Sequence, residues 1–118
     1  MTTTHASRTV LVEGRAVRTD SEGYLDHLGD WSEAFAQALA REEGLALTPE
    51  HWEVICFLRE HFDAHGVQAQ VRVMIRHFEP LWGPERGSNH HLHELFPAGG
   101  PQKQGNRLAG LLRTKGEH

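Results

Sequence analysis

Thiol, imidazole, indole and guanidinium groups are the side chains through which this chain can do chemistry, and their placement limits what that chemistry is. Cys56 is the only cysteine in 118 residues, so an intramolecular disulfide framework is excluded. It falls inside the apolar stretch from Trp52 to Phe62, where a cysteine is expected to be buried and to behave as a small hydrophobe instead of a reactive thiolate. His90, His91 and His93 stand close together among ten histidines. On a helix, however, His90 and His93 share a face while His91 points elsewhere, and no HExxH or CxxC accompanies them. No metal site and no cofactor is therefore expected, and the histidines read as surface or cap residues. Trp31 and Trp52 fall on apolar stripes and read as core, whereas Trp82 lies in a Pro/Gly loop and is the indole expected to be exposed. Paired carboxylates at diagnostic spacing, a GxxxxGK loop and a nucleophile elbow are all missing, so an autonomous enzyme is unsupported.

The elements that position these groups follow from periodicity. Thr9 to Val12 and Arg15 to Thr19, around Glu13-Gly14, read as a two-stranded hairpin. From Asp30 the period becomes helical: Trp31, Ala34, Phe35, Ala38 and Leu39 form one stripe, with Asp30 as N-cap, Glu33 completing a capping box and Gly44 ending the helix. A second helix opens at Thr48-Pro49 and runs to Gly66; its apolar residues spread around much of its circumference, so it is expected to be the most buried helix. Val71, Met74, Ile75 and Phe78 mark a third helix, with Arg72 and Arg76 opposite and a loop enforced from Pro80. Asn89 to Phe96 read as a short fourth. Beyond Pro97, glycines recur so often that no regular structure is expected, only an arm anchored by Leu108, Leu111 and Leu112.

The length suits one domain. Residues 1–20 form an N-terminal tail and hairpin, 30–96 a helical core and 97–118 a C-terminal arm. The fold class is mainly α: a small helical domain with an N-terminal β-hairpin, a helix-turn-helix-like pair and an extended arm. The net charge of −4 is uneven, with twelve acidic against five basic side chains up to residue 65 and four against seven beyond it. The second and third helices can be drawn as a helix-turn-helix with Arg72 and Arg76 on its recognition helix, although the acidic first half opposes phosphate. Any DNA binding would be weak. No apolar leader and no run long enough for a membrane helix is visible, so a soluble cytoplasmic protein is expected.

At the arm, Leu95-Phe96-Pro97, Gly100-Pro101-Gln102-Lys103-Gln104-Gly105, Arg107-Leu108-Ala109-Gly110-Leu111 and Gly116 resemble the closing signature of the DsrC/TusE family of small sulfur-relay proteins. The resemblance extends upstream through Gly23-Tyr24-Leu25, Trp31, Leu47-Thr48, His51-Trp52 and Phe57-Leu58-Arg59. It implies a helical domain with an N-terminal hairpin, a helix-turn-helix-like pair and a flexible arm. It also implies a penultimate cysteine that accepts a persulfide and, in sulfite-reductase-associated members, a second cysteine eleven residues earlier within KQxCxIAGLPKPxGC. Those two positions are Glu117 and Asn106 here. Two arm prolines are replaced by Leu112 and Thr114, and Gly99-Gly100 adds a residue before Pro101.

Neither asparagine nor glutamate can hold a sulfane sulfur, so the arm is expected to carry none. What the resemblance leaves is a docking surface of Lys103, Gln104, Arg107, Ala109, Gly110 and Leu111 for sulfur-relay or sulfite-reductase-type partners. The reading is a non-catalytic regulatory or decoy member acting in sulfur metabolism. The alternatives are a relay component using Cys56 and a DNA-binding regulator.

Overall fold

A computed structural model describes residues 7–112. Strands β1 (Ser7–Val12) and β2 (Arg15–Asp20) form an antiparallel hairpin in which Val10 faces Val17 and Val12 faces Arg15. Glu13 and Gly14 both take positive φ, 52° and 83°, the pairing of a type I′ turn whose twist matches that of the strands. Alternation then decides burial: Val10, Val12, Val17 and Thr19 turn inward while Leu11 remains exposed. The inward face packs on α1.

Five α-helices follow among the described residues, and the mainly helical architecture with an N-terminal hairpin that the resemblance implies is present. Helix α1 covers Glu33–Glu42, and its N-cap is Ser32, whose Oγ accepts the Phe35 N–H at 3.0 Å. The expected cap, Asp30, instead closes a 3-10 turn over Leu28–Asp30. Serine and aspartate cap equally well, and the Trp31 N–H is already committed to the Leu28 carbonyl at 3.2 Å, so the helix starts later. Gly44 ends α1 as expected: at φ 75° it lets the Leu45 N–H reach back to the Ala40 carbonyl at 2.8 Å.

Helix α2 (Pro49–His65) begins after Thr48 and stops at left-handed Gly66. It is not the most buried helix. His51, Val54, Ile55 and Leu58 are enclosed, Trp52, Phe57 and Phe62 are half-buried, and Cys56 lies on the exposed side. Helix α3 (Val71–Trp82) runs two residues past Pro80, where a loop was expected, and buries Met74 and Phe78. Helix α4 spans Asn89–Leu95, capped by Ser88.

The largest correction concerns the arm. Residues Gly100–Leu108 form a helix, α5, that is buried along most of its length and packs against α1, α2 and α4. The glycines that read as breakers serve close approach: a Cβ on Gly105 would stand 3.0 Å from Leu58 Cδ1. Gly100, with φ of 87°, lets the chain enter α5 beside the His93 ring, where a Cβ would lie 2.9 Å away. Among the described residues, only those after α5 resemble an arm.

Candidate functional site: the root of the C-terminal arm

Helix α5 is held by a charged group placed where a helix would not choose it. Glu43 is the C-cap of α1, at the negative end of the helix dipole, and so needs a cation. Arg107 supplies it: Nε lies 3.2 Å from Glu43 Oε2 and a terminal nitrogen 3.1 Å from Oε1. The same guanidinium donates to the Ala98 carbonyl at 2.8 Å and faces the Tyr24 ring. Burial alone would lower the Arg107 pKa; the hydrogen bonds and charge of Glu43, with Tyr24 contributing, reverse this and raise it. Gln104 completes the group, accepting the Ala98 N–H at 2.9 Å and donating to Glu43 Oε1 at 2.8 Å.

A second set of contacts fixes the point where the chain leaves α5. Gly110, at φ 71°, sends the Leu111 N–H back to the Asn106 carbonyl at 2.9 Å. The Trp31 indole donates to the Leu108 carbonyl at 2.7 Å. Arg59 stacks over that indole, 3.8 Å from the ring centroid, and donates to the Ala109 carbonyl at 2.7 Å. Burial holds the Arg59 pKa below its ordinary value, against the opposing charges of Cys56 and Asp63. Gln68 reaches the Leu112 carbonyl at 2.7 Å. Three side chains from three places in the sequence thus fix the backbone carbonyls of Leu108, Ala109 and Leu112.

The residues expected to form an open docking surface sit differently. Gln104, Arg107, Ala109, Gly110 and Leu111 are buried and serve this anchorage, and Lys103 alone of the six is exposed. Asn106 is fully enclosed, while Glu117 lies outside the described residues. Arg72 and Arg76 are exposed on α3.

Cys56 contradicts the buried expectation: it opens into a shallow cleft with Trp52, Glu53, Phe57, Glu60, His77 and Phe78. Trp82, expected exposed, is half-buried and stacked on Phe78 at 4.3 Å. The three neighbouring histidines diverge: His90 faces Glu94 at 3.2 Å, His91 faces Glu50 at 3.0 Å and His93 meets the Asn89 carbonyl at 2.8 Å. Glu50 is also paired with Arg86.

Sequence reasoning missed Glu43, Arg59 and Gln68 as anchors and took Trp31 only as core. A usable signal existed for Glu43, since a carboxylate against the helix dipole calls for a partner.

The described residues form a hairpin-led, mainly helical domain with an anchored C-terminal segment, and none of its helices is long and apolar enough to cross a membrane. The chain belongs to the family described as DsrC like protein, whose model matches residues 11–116. It is 42% identical over 102 residues to the sulfurtransferase TusE of Salmonella choleraesuis, covering 86% of this chain and 93% of that relative. It is 41% identical over 99 residues to the TusE of Yersinia pseudotuberculosis, covering 84% and 91%. Among solved structures, Allochromatium vinosum DsrC superposes with a TM-score of 0.80 at 37% identity, covering 95% of this chain and 99% of the other. The oxidized gamma-subunit of the dissimilatory sulfite reductase from Archaeoglobus fulgidus superposes at 0.82 and 33%, covering 93% and 99%.

Proposed function

We propose that this protein works within a sulfur-relay system by occupying partners of TusE- or DsrC-type carriers while holding no sulfane sulfur on its own arm. The observation that carries the reading is a complete anchorage of the arm root combined with Asn106 and Glu117 at the positions where the resemblance places thiols. A sulfane sulfur needs a thiolate to hold it, and an amide or a carboxylate forms no such S–S bond. Asn106 is moreover enclosed within α5. The docking face in this reading includes exposed Lys103, with Gln104, Arg107, Ala109, Gly110 and Leu111 acting by fixing α5 and the turn that ends it.

The exposure of Cys56 favours a second reading, in which the protein accepts sulfur on that thiol and is itself a relay component. Incubation with a persulfide donor followed by intact-mass measurement separates the two. The first reading expects no reductant-removable gain. A stoichiometric gain of one sulfur, lost in Cys56→Ala, would replace it with the second.

A further inference from the structure

We propose that the cleft between α2 and α3 is a docking site for a basic segment of a partner protein, seating an apolar side chain between two cationic ones. The inference concerns a face distinct from the arm root and does not depend on whether the protein handles sulfur.

The cleft is built by a stripe of α2. Glu53, Cys56, Phe57 and Glu60 recur at i, i+3, i+4 and i+7 and so share one face. Helix α3 supplies the opposite wall, His77 and Phe78, and the space enclosed is about 280 Å³. Its interior is aromatic: Phe57 stacks on His77 at 4.4 Å and meets Phe78 edge-on at 5.5 Å. Such a floor is held together by its own rings, yet Phe57 stays half-buried and Cys56 exposed, so apolar surface is left facing water.

The two ends of the stripe carry carboxylates about 10 Å apart along the helix axis. Glu53 accepts the Trp82 indole N–H at 3.2 Å, which leaves its charge unneutralised. Neither Glu53 nor Glu60 forms an ion pair among the described residues. Two nearby cations are committed elsewhere: Arg59 is stacked on Trp31 and Arg86 is paired with Glu50. A guanidinium or ammonium brought to either end would meet a carboxylate and lie beside an aromatic face, both of which favour it. An acidic partner would meet two like charges that form no ion pair among the described residues.

Cys56, inside the cleft, reports occupancy directly. The full chain is treated with iodoacetamide at low salt in the presence of a synthetic peptide carrying a leucine between two arginines, or of the same peptide with both arginines replaced by glutamate. The expected result is a saturable, several-fold slowing of Cys56 alkylation by the arginine peptide, weakened by salt and absent with the glutamate peptide. Glu53→Gln combined with Glu60→Gln should remove the protection with an unchanged circular dichroism spectrum, and Asp63→Asn should retain it. Absence of protection at millimolar peptide, equal protection by the glutamate peptide, or loss of protection in Asp63→Asn as complete as in the double variant would each overturn the proposal. If the double variant fails to fold, Glu60→Gln alone is expected to weaken protection, and unaltered protection there would count against the site.

Discussion

The Trp31 ring occupies the space that a side chain on Gly110 would need: a Cβ there would come within 2.3 Å of Trp31 Cδ1. The contact is possible only because Gly110 has no Cβ and because its φ of 71° turns the chain out of α5 at that point. One indole thereby caps the end of α5, bonds the Leu108 carbonyl and supports the Arg59 guanidinium.

Gly110→Ala meets both a left-handed backbone and the indole, and the expected destabilisation is about 2–4 kcal/mol. Trp31→Phe keeps a ring but loses the hydrogen bond to Leu108, with an expected loss of about 1 kcal/mol from that bond beyond any repacking. Urea unfolding of the two variants measures both, and a Gly110→Ala variant as stable as the parent would contradict the packing described.

Arg107 and Glu43 are both largely enclosed, with side-chain exposures of 8% and 12%. Removing one partner strands a buried charge, so Arg107→Ala is expected to cost about 3–5 kcal/mol. Replacing both by apolar residues of similar volume should cost less than the sum of the single changes, although Gln104 then loses an acceptor. A double-mutant cycle reads the coupling, which is expected to be favourable.

His51 has fixed proton roles. Its Nδ1 accepts the Thr48 N–H at 3.0 Å, in the place a capping-box glutamate takes, and its Nε2–H donates to the Leu95 carbonyl at 2.6 Å. Burial lowers its pKa against the opposing effect of the Leu95 carbonyl, so the folded state holds the ring neutral. The unfolded chain binds this proton more readily. The contribution of His51 to stability is therefore fully present above the ordinary imidazole value of 6.5 and is lost as pH falls below it through the folded pKa. His51→Gln, which can still accept at Nδ1's place, is expected to flatten the stability profile over that window. His61, lowered in the same direction by burial and by His65, gives a slope of the same sign.

Native-state alkylation distinguishes the two positions that matter for sulfur. Cys56 is expected to react readily without denaturant, whereas a thiol introduced by Asn106→Cys, enclosed in α5, should react only on unfolding. Peptide mapping after timed labelling checks this. Comparable labelling of both would mean that α5 opens far more often than its packing indicates.

Much of this was legible in the sequence because the signals were local. The Glu13-Gly14 turn, the Thr48-Pro49 start and the Gly44 and Gly66 stops each act within a few residues, and the structure has them. The arm misled for the opposite reason. Gly100, Gly105 and Gly110 look like breakers one at a time, but their use depends on His93, Leu58 and Trp31, which are remote in sequence. Cys56 misled through its neighbours: Val54, Ile55 and Leu58 are buried, yet the helix turns residue 56 to the other side. The anchors Arg59 and Gln68 bond carbonyls, which no side-chain pattern reveals.

The proposed role has this protein occupy a carrier's partners without receiving sulfur. Its most direct test is persulfide transfer from a donor complex to a TusE-type carrier of the same organism, followed by mass spectrometry as this protein is added in increasing excess. Labelling of the carrier is expected to slow with occupancy while this chain gains no sulfur. Transfer unaffected at saturating excess, or sulfur appearing on this chain, would contradict it.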